Sequence, residues 1–291
     1  MHALSLSLSM LVWTLSLGAT PRFKGVSDSD LIARLADADP YDFDVREELS
    51  ERLGARAGAD RVLLIHRLID TVEHSADWSL RAGCGAALSG AAQESPVSKD
   101  IISAHMLRII TQGDEKQGGN IENYITTLVK FDQSEETRLA ILSVLSRREL
   151  IRRNHDIKPR VLFAMGHLGP RGEQFLIGYI ERDPFVVPVA LGEGGGHRAF
   201  KYLRSQARTP SGKIRSRCTF ALGTWALTKP VGSNQRARAV RTIRALACDS
   251  DPSVKDAALT ALTRIGAAPL TFCTKDDGEN DDDTAEERSD E

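Results

Sequence analysis

Aromatic residues make up only 5% of this 291-residue chain, and its four cysteines follow no metal or disulfide spacing. A core with so few rings must close on small side chains, and Ala and Leu do dominate the periodic segments. No H-E-x-x-H, C-x-x-C or G-x-S-x-G segment occurs, so the usual zinc-protease, redox and serine-hydrolase signatures are missing. The seven histidines are scattered; His66 and His74, eight residues apart, are too far separated to share a metal without further ligands. No pattern calls for a catalytic set, a metal, a cofactor or a small-molecule substrate. Beyond the first twenty residues no apolar run approaches the about 20 residues of a membrane span.

Residues 3–19 carry no charge and are mostly apolar, but their five Ser or Thr make a poor span. They suit the core of a signal peptide, with Ser16-Leu17-Gly18 or Leu17-Gly18-Ala19 as a small-residue cleavage site. Export to a periplasmic or extracellular space is the expectation. The alternative, a retained apolar segment in a cytoplasmic chain, stays open because Met1-His2 lacks Lys or Arg. In an oxidising compartment Cys248 and Cys273, which flank the last helix, could pair.

What the chain does have is one helix, repeated. In Asp251–Gly266, Asp251 is an N-cap, Pro252 stands at the first helical position, and Gly266 can close the last turn. Val254, Ala258, Leu262 and Ile265 form one apolar stripe. The same apolar-basic pair, with an apolar residue four positions after its first member, recurs at Val45-Arg46, Leu80-Arg81, Thr137-Arg138, Ile157-Lys158 and Ile214-Arg215. Three residues before the pairs stand Asp42, Asp77, Ser134, Asn154, Ser211 and Asp251, all N-cap types. The basic residues are 35, 57, 20, 57 and 40 positions apart. A spacing near 40 fits one helical hairpin per repeat, and 57 leaves room for one further helix.

The pattern D-P-x-V-[RK]-x-A-A-L-x-A-L-x-x-I-G at 251–266 resembles the second helix of HEAT repeats, especially the short bacterial type. The fold class implied is all-α, an α-solenoid of HEAT-like helical hairpins over residues 20–273. In that register Cys84 and Cys218 take the core position of Ala258. The reading places helices at 27–37, 42–54, 60–73, 77–90, 98–111, 120–131, 134–150, 154–168, 173–182, 197–207, 213–228, 235–247 and 252–265. The Gly-rich 183–197 matches neither a dinucleotide nor a Walker pattern, and Pro188 argues against a buried strand; it reads as an inter-helix loop.

Charge is distributed unevenly. No Asp or Glu occurs from Gly194 to Cys248, a window holding twelve basic residues. Residues 274–291 hold ten acids against Lys275 and Arg288, a net of −8; they lack apolar content and are expected to be disordered. The chain totals −2, which leaves +6 for the remainder. Arg198, Lys201, Arg204 and Arg208 share one helix face by spacing, and Lys213, Arg217, Arg238 and Arg241 extend the set as a candidate anion or partner-binding surface. The alternative is a solvated face, with residues such as Arg215 bonding to the neighbouring repeat. The acidic stretch is expected to fold back on this surface and compete with its ligand.

HEAT-like solenoids usually bind protein partners, so a non-enzymatic scaffold or adaptor leads. A polyanion-binding solenoid, taking nucleic acid or an envelope polymer on the 198–244 face, is the alternative. The resemblance also admits enzymes, since bilin lyases and certain DNA glycosylases share the architecture. Trp78, Tyr202 and Trp225 would then be groove candidates, although Trp225 falls on the core stripe and none comes with a placed acid or base.

Overall fold

The computed structural model describes residues 23–37, 44–92 and 96–269, without the side chains of Pro96 and Val97. The signal-like stretch, the Asp42 cap, Cys273 with its expected pairing to Cys248, and the acidic stretch 274–291 lie outside the described residues. Among the described residues the regular structure is entirely helical, fifteen α-helices with two short 3-10 turns. None of these helices is long and apolar enough to cross a membrane. The chain forms two compact units that divide between His105 and Met106.

The first unit holds α1 (Asp28–Asp37), α2 (Asp44–Ala55), α3 (Gly58–His74) and α4 (Trp78–Ala91); α5 (Pro96–Gln112) begins there. Helix α4 is its centre, packed by α1, α2 and α3. Asp77 starts it, Oδ1 accepting from the Leu80 N–H at 3.1 Å, and Cys84, Ala87 and Leu88 are buried along it. Gly83 admits the Leu35 side chain, where a Cβ would stand 2.8 Å from two of its methyl carbons.

In the second unit come α6 (Gly118–Leu128), α7 (Glu135–Ser143), α8 (Arg148–Arg153), α9 (Ile157–His167), α10 (Gly169–Tyr179), α11 (Val186–Gly194), α12 (His197–Gln206), α13 (Gly212–Leu227), α14 (Asn234–Leu246) and α15 (Pro252–Ile265). Helices α9, α11, α13 and α15 lie side by side as one row, with α6 packed on α9. Helices α10, α12 and α14 make a second row, each bridging two neighbours of the first. Such stacking gives each hairpin a neighbour that covers the apolar face it cannot bury alone.

Helix α15 has the expected anatomy: Asp251 Oδ1 accepts the Ser253 N–H at 2.9 Å, and Gly266 adopts φ 73°. Val254, Ala258, Ala261, Leu262 and Ile265 are buried. Asp77, Ser134 and Asp251 all cap as expected. Ser211 precedes α13 without a side-chain cap bond, and Asn154 is not a cap. The amide of Asn154 instead donates to Leu150 O at 3.1 Å, closing α8, and α9 starts two residues later than that reading requires, with Asp156 at the N-cap.

Three further expectations are corrected. Asn120 lies inside α6, buried, donating to Gln117 Oε1 at 2.9 Å rather than starting the helix. The stretch 134–150 is broken, α7 passing through a 3-10 turn at Val144–Ser146 before α8, a compressed link that accounts for the short interval of 20. Third, 183–197 is not a loop throughout but contains a helix, α11, at Val186–Gly194. Pro188 is the third residue of α11, where its missing N–H would have had no partner within the helix. Asp183 Oδ1 accepts the Val186 N–H at 3.0 Å, so Asp183-Pro184 opens α11 much as Asp251-Pro252 opens α15. The interval of 57 between Lys158 and Arg215 therefore holds three helices, α10, α11 and α12, instead of the two expected at 173–182 and 197–207.

The glycines of α11 are helical because neighbours press on both sides. A Cβ on Gly192 would lie 2.5 Å from Ala221 O of α13, and one on Gly194 would run into the backbone of Gly166 in α9. Gly223 of α13 repeats the device, 2.6 Å from the Ala261 Cβ of α15. Backbone approach this close gains packing that outweighs the poor helix propensity of glycine.

Candidate functional site

At Arg81, Lys158 and Arg215 the repeat's basic residue is a structural bolt. Arg81 Nη1 donates to Ser75 O at 2.7 Å and Ala76 O at 2.9 Å. Arg215 Nη1 donates to Thr209 O and Pro210 O, both at 2.9 Å. In each case the guanidinium folds back on the carbonyls six and five residues earlier and fixes the loop that feeds its own helix. The same position also ties one hairpin to the next. Lys158 Nζ lies 2.7 Å from Asp183 Oδ2, and Arg215 Nη2 lies 3.1 Å from Asp249 Oδ1 and 3.6 Å from Asp251 Oδ2. Burial alone would raise the Asp183 carboxyl, but the hydrogen bonds from Lys158 and the Val186 N–H outweigh it and hold the group below its ordinary 3.8.

Other basic residues of the acid-free window are similarly engaged. Arg236 Nη2 donates to Ile265 O and Arg244 Nε to Ala268 O, each at 3.0 Å. Lys229 Nζ stands 4.5 Å from the Trp225 ring centroid, and burial pulls its ammonium below the ordinary lysine range. Of the candidate surface residues, Arg217 stacks over Phe185, 5.0 Å from its centroid, at the start of α11. Both side chains are exposed, so this is a surface contact on the first row rather than part of the α12–α14 face. Lys213 is exposed in the first turn of α13.

The remaining candidates fall into register. Helices α12 and α14 match at an offset of forty residues, so buried Ala199, Leu203 and Ala207 correspond to buried Ala239, Ile243 and Ala247. On the opposite side Arg198 corresponds to Arg238, Lys201 to Arg241 and Arg204 to Arg244. Both helices pack against α13. Arg198, Lys201, Arg208 and Arg241 are exposed, with Arg204 and Arg238 partly so. The structure thus assembles Arg198, Lys201, Arg204, Arg208, Arg238 and Arg241 into a basic face on two successive helices of the second row. It leaves Lys213 at a helix start and Arg217 on Phe185. The preceding helix of that row, α10, does not continue the face: its Arg171 pairs with Glu135 at 2.8 Å.

One group at this boundary left no local trace in the sequence. Glu173 of α10 is 5% exposed, and its carboxylate accepts the Gly196 N–H at 2.5 Å and the Ala199 N–H at 3.2 Å. It caps α12 from another helix, 23 and 26 residues away. Trp225, expected on the core stripe, is buried against Phe200 at 4.7 Å between ring centroids, its Nε1–H donating to Gly195 O at 2.8 Å. Together these hold the Gly195-Gly196 turn from which the basic face starts. Tyr202 is half-buried, and Trp78 is exposed at the start of α4 in the first unit.

A concavity of about 490 Å³ opens along the first row, between α6, α9 and α11. Thr126, Lys130, Arg160, Phe163, His167 and Glu193 line it, and Arg160 Nε is paired with Glu122 at 2.8 Å. Its charge is mixed and nothing reactive converges in it. Among the described residues no group of three or more His, Cys, Asp or Glu could hold a metal ion. Burial pushes the thiols of Cys84 and Cys218 up to about 12, as fits core residues rather than nucleophiles.

No family model matches the chain, and no curated protein does. A solved structure of an engineered protein aligns with 82% of this chain and 96% of that chain, at 14% identity and a TM-score of 0.30.

Proposed function

We propose that this chain is a HEAT-like repeat scaffold, non-enzymatic, that binds a protein partner through the basic face of α12 and α14. The observation that carries the reading is the register: Arg198/Arg238 and Lys201/Arg241 occupy equivalent positions on successive helices that pack on one helix, α13. A merely solvated face would be expected to mix both signs, yet no carboxylate lies between residues 194 and 248. Acidic side chains of a partner would meet donors on two neighbouring helices at once, which adds specificity to the charge attraction. The apolar stretch at residues 3–19 supports an exported setting for this encounter.

A second reading gives the same face to a nucleic acid or an acidic envelope polymer, favoured by the length of the acid-free window. The test is a fluorescence-anisotropy titration of two probes, a poly-glutamate peptide and a DNA oligonucleotide, from 50 to 300 mM salt. The scaffold reading expects the peptide to bind and the fourfold change R198E/K201E/R238E/R241E to abolish binding, while Lys255→Glu leaves it intact. DNA bound preferentially, with affinity falling steeply as salt rises, would support the second reading instead.

A further inference from the structure

We infer that the basic face of α12 and α14 has a resident occupant, the acidic stretch 274–291 of the same chain, which an external acidic ligand must displace. This rests on the reading of that face as an anion-recognition surface, and three observations lead to it. The first is where the chain goes after α15. Arg236, at the start of α14, holds Ile265 O, and Arg244, near its end, holds Ala268 O. Two arginines of α14 therefore lead the chain back along the helix that carries Arg238 and Arg241. Arg244 is also the register partner of Arg204, so the described chain reaches Ala268 beside the basic face.

The second observation is reach. Seven residues separate Ala268 from Asp276, the first acid of the stretch, a span of up to about 26 Å at full extension. Helix α14, with 13 residues, is only about 20 Å long. From Asp276 onward sixteen residues carry ten carboxylates, enough to cover both α14 and α12. The third is sign and chemistry. The stretch has a net charge of −8 and offers only carboxylates, whereas a single-stranded nucleic acid would seek aromatic platforms for its bases. Few rings are open to such stacking: Phe200 and Trp225 are buried, Tyr202 of α12 is half-buried, and the exposed Phe185 lies outside α12 and α14, with Arg217 over its face. Tethered at so short a distance, the acidic stretch acts at an effective concentration on the order of millimolar, well above that of a dilute partner.

The test compares the full chain with a full-length variant in which every Asp and Glu of 274–291 is replaced by Asn and Gln. A labelled poly-glutamate peptide is the probe, in low-salt buffer. The expected result is binding about tenfold tighter or more to the neutralised variant, a difference that shrinks as salt rises and vanishes in an R238E/R241E background. Carbodiimide coupling of the full chain, which joins a carboxylate to an amine without a spacer, should link 274–291 to Lys201 in preference to lysines elsewhere. Equal affinity of the two chains for the peptide would overturn the inference and leave the anion-binding reading standing. Binding by neither chain would overturn both. A DNA oligonucleotide bound more tightly than the peptide, equally by both chains, would assign the face to nucleic acid and also overturn the inference.

Discussion

Gly192→Ala tests the least expected part of the fold. If 183–197 were a loop, alanine at position 192 would change little, or would stabilise by restricting the unfolded chain. In α11 the added Cβ stands 2.5 Å from Ala221 O and 3.2 Å from Ala221 C and Cα, where ordinary contact begins at 3.4 Å. The obstacle is backbone in the middle of α13, so no side chain can swing away. To accept the methyl group, α11 and α13 must separate by about 1 Å, and a gap of that size forfeits a quarter to a half of the dispersion energy along the seam. Overpacking of this kind costs about 1–3 kcal/mol, against which better helix propensity returns about 0.5–1 kcal/mol. The net expectation is a loss of about 1–2 kcal/mol. Gly178→Ala is the matched control: it lies exposed in α10, where a Cβ meets nothing within 4 Å, and should stabilise by about 0.5–1 kcal/mol. Urea unfolding followed by circular dichroism reads both. A midpoint raised by Gly192→Ala as much as by Gly178→Ala would refute the close α11–α13 packing.

Two more expectations concern the bolts between hairpins. Arg215→Lys keeps the charge, but one ammonium cannot serve Thr209 O, Pro210 O and Asp249 together, so a loss of about 1–3 kcal/mol is expected in the same urea assay. Lys255→Met, at the same register position but exposed, should stay within about 0.5 kcal/mol of the parent. Acid stability should show the Lys158–Asp183 pair. A carboxyl depressed in the fold contributes stability that is complete above its unfolded value near 3.8 and is lost as pH falls through the lower folded value. Unfolding midpoints measured from pH 6 to pH 2 should therefore fall less steeply below about pH 4 in Asp183→Asn than in the parent; identical acid limbs would remove the pair from the stability of the fold.

Much of the architecture is legible in the sequence because its signals are local. Asp251-Pro252 and Gly266 bound a helix whose ends the structure reproduces, and the stripe Val254, Ala258, Leu262, Ile265 is buried as its spacing requires. What escaped is tertiary. Helix α11 was hidden because Val187 stands four residues after Asp183, where the other copies have Arg or Lys, and because its glycines suit a loop until α9 and α13 press against them. The Asp183-Pro184 pair was the available signal. Glu173 was beyond reach of any local pattern, since its partners lie in the turn before another helix.

The basic face shows the same division between local and tertiary information. Charge counting treats the twelve Lys and Arg of the acid-free window as equivalent, but their helix positions sort them into two jobs. Arg215 sits where the next hairpin arrives, and Arg236 and Arg244 sit where α15 and the chain after it run past α14, so their donors are consumed by carbonyls and by Asp249. Arg198, Lys201 and Arg241 sit exposed on the side of α12 and α14 opposite the buried Ala and Leu or Ile positions. The repeat that makes Arg215 a bolt therefore also makes the second-row stripe a surface, because stacking at a fixed offset copies each residue's environment along with its helix.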